Sequence, residues 1–217
     1  RCGCGAGVTS REALHRLHSL SGQTACSADA GRLHPHQAGI PGHILVWRGA
    51  AETVKQAPKP RAALAAQAFG GLDGLVNSAG IANTDPAKDV ALADWRRVLD
   101  VNLTGTLIVT QACEPWLRAA PGATVVNLAS GQGLRPSPGR AAYAASKAGV
   151  IGLTRCLAQE WGPHIRVNSL CPGAVDTPMV RQEYGDDAAS RVGSRYALER
   201  IAQAHEIALA ALYLTSN

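Results

Sequence analysis

The sequence predicts an α/β fold, a single domain in which helices cover both faces of a parallel sheet in a doubly wound arrangement. From about residue 61, short apolar segments alternate with longer helical ones, which is the pattern of strands joined by right-handed helical crossovers. A chain of 217 residues with 46% hydrophobic residues is long enough to bury a sizeable core. We therefore expect residues 1–217 to form one domain.

The elements after residue 61 follow from local sequence. The predicted strands are Leu72–Asn77, Ala123–Ser130 and Ile165–Cys171. The predicted helices are Arg61–Phe69, Asp89–Asp100, Thr104–Ala119, Tyr143–Trp161 and Leu198–Leu214. Two glycines follow the first helix and a Gly-Pro pair follows the fourth, and both are common helix-ending signals. Because the strands are short, apolar and separated by helices, both faces of the sheet are expected to be buried.

Residues 1–50 differ in composition and are expected to be divergent and partly irregular. Five of the seven histidines lie there, and the segment has no lysine. Within it, the sequence predicts a helix over Arg11–Leu20 and a strand over His43–Trp47.

Composition and spacing argue against several classes of function. No apolar run reaches the roughly 18 residues of a membrane span, so no membrane association is expected. The net charge of +5 comes from scattered basic residues without interleaved aromatics, so no nucleic-acid partner is expected. Cys2-Gly-Cys4 and His15-x-x-His18 lack further ligands, so no metal site is predicted. Six cysteines without a C-x-x-C pair favour free thiols in a reducing cytoplasm.

Tyr143 and Lys147 carry the strongest chemical signal. They are four residues apart, so on a helix they lie on one face, one turn apart. A nearby ammonium favours the phenolate, and we expect Lys147 to lower the pKa of Tyr143 from its usual value of about 10. A lone Tyr-x-x-x-Lys pair could also be a solvated surface contact. The context of the pair decides between these interpretations.

That context is a set of polar and turn residues at the ends of predicted strands. Asn77 and Ser130 end predicted apolar strands, and Pro172 directly follows one. Because the carboxyl ends of parallel strands share one edge of a sheet, ligands bind beyond that edge. The three motifs therefore predict one site, with Ser130 at the end of its strand ready to hydrogen-bond a substrate oxygen.

Five motifs together resemble the short-chain dehydrogenase/reductase family over about residues 61–215. They are Asn77-Ser-Ala-Gly80, Asn102 in Asp100–Gly105, Ser130, Tyr143-x-x-x-Lys147 and Pro172-Gly173. The resemblance implies a Rossmann-like domain and an NAD(P)-dependent oxidoreductase that interconverts a carbonyl and a secondary alcohol. Its partner would be a small-molecule substrate, and family members commonly form homodimers or homotetramers through the two central helices.

The resemblance also implies residue roles. The catalytic residues would be Ser130, Tyr143, Lys147 and Asn102, with Tyr143 as the acid or base and Asn102 holding a water behind Lys147. The cofactor-binding residues would be Asn77, Ala79, Gly80, Tyr143, Lys147, Pro172, Gly173, Val175 and Thr177. The segment Pro178–Asp187 lies where the family places a mobile lid over the substrate.

The first residues depart from the family pattern. Gly3 and Gly7 have the spacing of the family's Gly-rich turn, but Thr9 stands in place of the last glycine and no apolar strand precedes them. We expect weak cofactor binding because that turn presents backbone N–H groups to the pyrophosphate. The segment Gly22–Asp29 resembles the family's second strand, which ends in an acid. If Asp29 ends that strand, it would accept the ribose 2′-OH and favour NAD over NADP.

Two other functional interpretations remain open. A catalytically silent remnant of the fold would explain the altered turn, and both ends of the chain are expected to be incomplete relative to the family. A nucleotide-sugar epimerase shares the Tyr-x-x-x-Lys pair, but the short chain argues against the large substrate domain of such an enzyme.

Overall fold

The computed structural model describes residues 44–47, 62–63, 65–67, 70–185 and 187–216. Within them, four parallel strands form the main sheet in the order β1-β2-β3-β4. These strands are β1 Ile44–Trp47, β2 Gly74–Asn77, β3 Ala123–Leu128 and β4 Ile165–Leu170. Two short parallel strands, β5 Val175–Asp176 and β6 Ala202–Gln203, form a second sheet. The predicted parallel pairing of the last two long strands is confirmed over their full length.

Helices connect the strands. They are α1 Leu92–Leu99, α2 Gly105–Ala119, α3 Ala141–Trp161, α4 Pro178–Tyr184, α5 Ala188–Gly193 and α6 Ala204–Thr215. A π-helical turn, Asp100–Thr104, joins α1 to α2, and a 3₁₀ turn, Gly131–Gly133, follows β3. Residues 62–63 and 65–67 are helical, as the sequence predicts.

The sheet is buried on both faces. Successive side chains of a strand point to opposite faces, and each face has its own core cluster. Leu75, Val125 and Val167 are neighbours across the sheet and lie in one core cluster with side chains of α2 and α3. Val76 and Val126 belong to a second cluster that includes Ala211 of α6. Helices thus cover both faces, and the predicted doubly wound α/β fold is confirmed.

Buried amides and hydroxyls tie the sheet to its helices. Asn77 Nδ2 donates to Asn127 Oδ1 over 2.8 Å and to Thr110 Oγ1 over 2.9 Å. Asn127 Nδ2 in turn donates to Thr154 Oγ1 over 3.0 Å. All four side chains are buried, so this network fixes the carboxyl ends of β2 and β3 against α2 and α3.

The predicted helix Leu198–Leu214 begins six residues too early. The observed helix starts at Ala204, with a capping box in which Gln203 and Glu206 satisfy each other's backbone N–H groups. Before it, Glu199 has a φ of 50°, a left-handed conformation that cannot continue a right-handed helix.

Of residues 1–50, the structure describes only Ile44–Trp47. The predicted strand His43–Trp47 is confirmed as β1 Ile44–Trp47, parallel to β2. The predicted helix Arg11–Leu20 and strand Gly22–Asp29 lie outside the described residues, as do Gly3, Gly7 and Thr9. The assignment of the whole chain to one domain stays a prediction.

Candidate active site

An open cleft of about 670 Å³ lies beyond the carboxyl ends of β2, β3 and β4, a volume typical of small-molecule sites. Ser130, Tyr143 and Lys147 line it together. It is therefore at the edge of the sheet that the sequence predicts, and it brings three of the four predicted catalytic residues to one place.

Ser130 lies two residues beyond the end of β3, so the strand is shorter than predicted. Its backbone is extended, and its hydroxyl oxygen accepts a hydrogen bond of 3.1 Å from the Gln132 N–H, which caps the 3₁₀ turn. That turn packs closely on α3, because a Cβ added at Gly133 would lie only 2.8 Å from the carbonyl carbon of Lys147. The close contact places Ser130 beside the helix that carries Tyr143 and Lys147.

Lys147 is buried beneath the cleft. Its ammonium donates a hydrogen bond of 2.7 Å to the carbonyl oxygen of Leu128 and lies 5.8 Å from the centre of the Tyr143 ring. Burial lowers the pKa of Lys147 to about 8, and the charge of Cys171 opposes that shift. The lysine is therefore easier to deprotonate than an exposed one.

Tyr143 has a raised pKa, the opposite of the predicted shift. Burial raises the pKa, whereas hydrogen bonding with Ser130 and the charge of Arg140 act to lower it and the charge of Glu183 acts to raise it. Lys147 is not among these influences. The sequence-based expectation considered the ammonium and neglected desolvation, which penalises the phenolate in a partly enclosed cleft.

Asn102 is fully buried in the π-helical turn, where the helix changes its hydrogen-bond spacing. Its side chain pairs with both backbone groups of Ile81 over 2.9 Å and donates to Ser146 Oγ over 2.9 Å. These bonds tie the segment after β2 to α3, one residue before Lys147. The predicted water relay through Asn102 stays a prediction.

The predicted cofactor contacts divide into two groups. Those that line the cleft are Ala79, Gly80, Tyr143, Lys147, Pro172, Gly173, Val175 and Thr177. Asn77 is not among the lining residues, since its amide is used in the network between strands and helices. Its part in cofactor binding stays a prediction.

Comparison with known proteins identifies the family. The profile of the family described as enoyl-(acyl carrier protein) reductase matches residues 53–217. The chain belongs to the short-chain dehydrogenase/reductase family. An uncharacterised short-chain type dehydrogenase/reductase of Sinorhizobium fredii is 45% identical over 158 residues, or 71% of this chain and 28% of the relative. A 3-oxoacyl-[acyl-carrier-protein] reductase of Thermotoga maritima is 39% identical over 152 residues, 70% of this chain and 61% of the relative.

A solved structure agrees with the family assignment. The ligand-free aldohexose dehydrogenase of Thermoplasma acidophilum superposes with a TM-score of 0.72 at 31% identity, covering 76% of this chain and 69% of that chain. This chain spans 28% and 61% of the lengths of the two curated relatives named above.

The described residues of this short-chain dehydrogenase/reductase fit the nicotinamide half of an NAD(P) cofactor. A Cβ at Gly80 would lie 3.4 Å from Lys147 Nζ and 3.5 Å from Asn102 Oδ1, so the glycine leaves space beside the buried ammonium. The hydroxyls of Ser130 and Tyr143 add donors that a polar ligand needs. The residues predicted for the adenine half, among them Asp29, lie outside the described residues.

The contacts of four side chains near the cleft were not found from the sequence. The Tyr196 hydroxyl accepts a hydrogen bond of 3.1 Å from the Ala174 N–H, so it supports the loop after Pro172-Gly173. Arg140 donates hydrogen bonds to Glu183 and Tyr184. These partners are 22 to 44 residues apart in sequence, so no local spacing connects them.

Neither a metal centre nor a membrane span is found in the described part of this short-chain dehydrogenase/reductase. Among those residues, no three His, Cys, Asp or Glu side chains are grouped as metal ligands would be. None of the helices described is both long enough and apolar enough to cross a bilayer.

The pKa of Lys147 predicts a pH dependence of stability. The pKa of Lys147 is about 8 in the folded chain, and that of an unfolded lysine is about 10.4. Between these pH values the unfolded state therefore binds more protons than the folded state. The free energy of unfolding should therefore rise with pH across this window, by about 3 kcal/mol for this one group. Urea unfolding of the native chain and Lys147→Met, compared from pH 7 to 10.5, measures the difference. A constant difference would contradict the lowered pKa.

Proposed function

We propose that this chain is an NAD(P)-dependent oxidoreductase that interconverts a carbonyl compound and a secondary alcohol. The observation that carries the proposal is the convergence of Ser130, Tyr143 and Lys147 on one cleft at the carboxyl edge of the sheet. The names of its relatives, a 3-oxoacyl reductase and an aldohexose dehydrogenase, support the same reaction class.

Tyr143 is the proposed acid and base. Because its pKa is raised, the phenol is protonated at neutral pH and can donate a proton to a carbonyl oxygen as that oxygen gains negative charge. In the reverse direction the phenolate accepts the alcohol proton. A bound nicotinamide cofactor would supply or accept the hydride. Positioned proton transfer of this kind contributes about 10²–10⁴ in rate.

Ser130 is the proposed partner for the same oxygen. Its hydroxyl oxygen accepts from the Gln132 N–H, and the hydroxyl also hydrogen-bonds with Tyr143. A substrate oxygen that enters between the two hydroxyls would accept from both. A donor held in place before the reaction stabilises the developing alkoxide without a reorganisation cost. We assign to Lys147, which can lose its proton near pH 8, the role of exchanging protons with Tyr143, and to Asn102 the role of holding a water behind Lys147.

The proposal also covers the preferred cofactor and its affinity, the oligomeric state and the location of the protein. We infer NAD over NADP, on the expectation that Asp29 accepts the ribose 2′-OH, and weak overall affinity because of the altered Gly-rich turn. We also retain a homodimer or homotetramer and a cytoplasmic location as predictions. The catalytically silent alternative has less support, since Ser130, Tyr143 and Lys147 are present and share one cleft.

Titration with NADH and with NADPH, followed by cofactor fluorescence, tests the proposal directly. We expect saturable binding of at least one cofactor, weaker than micromolar, with NADH preferred. Turnover is then measured with a panel of 3-oxoacyl thioesters, aldohexoses and simple secondary alcohols. Absence of both binding and turnover would favour the silent alternative, and tight NADPH binding that survives Asp29→Ala would refute the stated preference.

A further inference from the structure

An ion pair joins the start of the catalytic helix to α4. Arg140 directly precedes α3, three residues before Tyr143. Its Nη2 donates to Glu183 Oε1 in a close ion pair and to the Tyr184 hydroxyl over 3.0 Å. Both acceptors are in the last turn of α4. The contact therefore spans two elements that are 43 residues apart in sequence.

This pair is more enclosed than the other ion pairs of the described residues. The side chains of Arg140 and Glu183 are 12% and 20% exposed, whereas the basic partners of the other pairs are 44% to 83% exposed. Exposed pairs contribute little to stability. Breaking an enclosed pair costs more, because the charge left behind loses its partner in a poorly solvated place.

The helix α4 lacks a fully buried side chain that would anchor it. None of its residues is fully buried, although Met179 and Val180 are half-buried, so apolar packing is only one part of what fixes the helix in position. Its first half, with Met179 and Val180, lines the cleft, and its second half carries the contact to Arg140. A contact that fixes the second half of α4 therefore also fixes the position of its first half over the cleft.

We propose that Arg140 and Glu183 form a clasp that holds α4 closed over the cleft, and that Arg140 is thereby a positioning residue for the reaction at Tyr143. The inference rests on the proposed function, because it assigns the clasp to the same site. The clasp consists of Arg140, Glu183 and Tyr184.

The clasp also places two opposite charges near the Tyr143 phenol. The charged or titratable groups around the phenol are Arg140 just before α3, Lys147 from α3, and Glu183 with Tyr184 from α4, and the Ser130 hydroxyl hydrogen-bonds with the phenol. Arg140 acts to lower the pKa of Tyr143 and Glu183 acts to raise it. Removing one charge at a time should therefore move that pKa in opposite directions, which a purely structural contact would not do.

The test uses Arg140→Gln, Glu183→Gln, the double variant and Arg140→Lys. Glu114→Gln is the matched control, since it removes the exposed ion pair between Glu114 and Arg118 on α2, and neither residue lines the cleft. Hydrogen exchange of the amides of residues 178–184 measures opening of the helix. Near-ultraviolet absorbance, with Tyr143→Phe as the reference, measures the titration of the Tyr143 phenol.

We expect each single Gln variant to speed exchange in α4 about tenfold, with the double variant no worse than the singles because the two side chains act as one contact. Arg140→Lys should restore most of the protection. The phenol should titrate at higher pH in Arg140→Gln and at lower pH in Glu183→Gln. In steady-state kinetics, the substrate KM should rise more than kcat falls.

The outcomes separate the clasp from the proposed function. Unchanged exchange in both single variants, or shifts of the phenol titration in the same direction, would overturn the clasp even if the enzyme turns over. Faster exchange with opposite titration shifts would support the clasp even in a chain without measurable turnover, which would instead count against the proposed function.

Discussion

Replacing Tyr143 with phenylalanine is expected to lower kcat by about 10²–10⁴. The substitution removes only the hydroxyl, which is the group proposed to exchange a proton with the substrate oxygen. The ring remains in the cleft, and the variant loses the hydrogen bond with Ser130. The hydrogen bonds from the Gln132 N–H to Ser130 and from Lys147 to Leu128 do not involve the phenol. We therefore expect the free energy of unfolding to change by less than about 1 kcal/mol.

Steady-state turnover and urea unfolding of the same preparation test this expectation. Tyr213→Phe is the control, since Tyr213 is 78% exposed on α6 and does not line the cleft. Retained activity in Tyr143→Phe would show that another group supplies the proton. A large loss of stability would show instead that the hydroxyl is structural.

Much of the fold could be predicted from the sequence because the strand signals are local. The run Thr124-Val-Val in β3 combines β-branched residues with a Pro-Gly turn before it, and the strand is buried and paired on both sides. The start of α6 could not be predicted from apolar spacing, because the backbone at Glu199 and the capping box at Gln203 decide it.

The convergence of the site residues was also accessible to sequence reasoning. Ser130 follows a strand, and Tyr143 and Lys147 share one helix face, so their meeting at the sheet edge follows from general rules of parallel sheets. The direction of the Tyr143 pKa shift was not accessible. It depends on burial and on Arg140 and Glu183, and the latter two meet only in the folded chain.

Gly133→Ala is expected to destabilise the fold by about 1–3 kcal/mol, the usual cost of forcing an extra carbon into a packed region. The added Cβ would lie 2.8 Å from the Ala148 nitrogen and from the Lys147 carbonyl carbon. Both are helix backbone atoms that cannot rotate away, so the 3₁₀ turn would have to move off α3. Ser130 caps that turn, and a displacement near 1 Å at a reacting group can cost about 10² in rate.

Gly152→Ala, on α3, is expected to change stability in the opposite direction. Gly152 is exposed, and nothing lies within 4 Å of an added Cβ. Alanine in a helix interior is more stable than glycine by about 0.5–1 kcal/mol, so this variant should be slightly more stable and fully active. Urea unfolding and turnover of the two variants form one experiment. Equal effects at both positions would mean that the contact between the 3₁₀ turn and α3 does not hold Ser130, whereas a loss at Gly133 alone would place the serine's position under the control of that backbone contact.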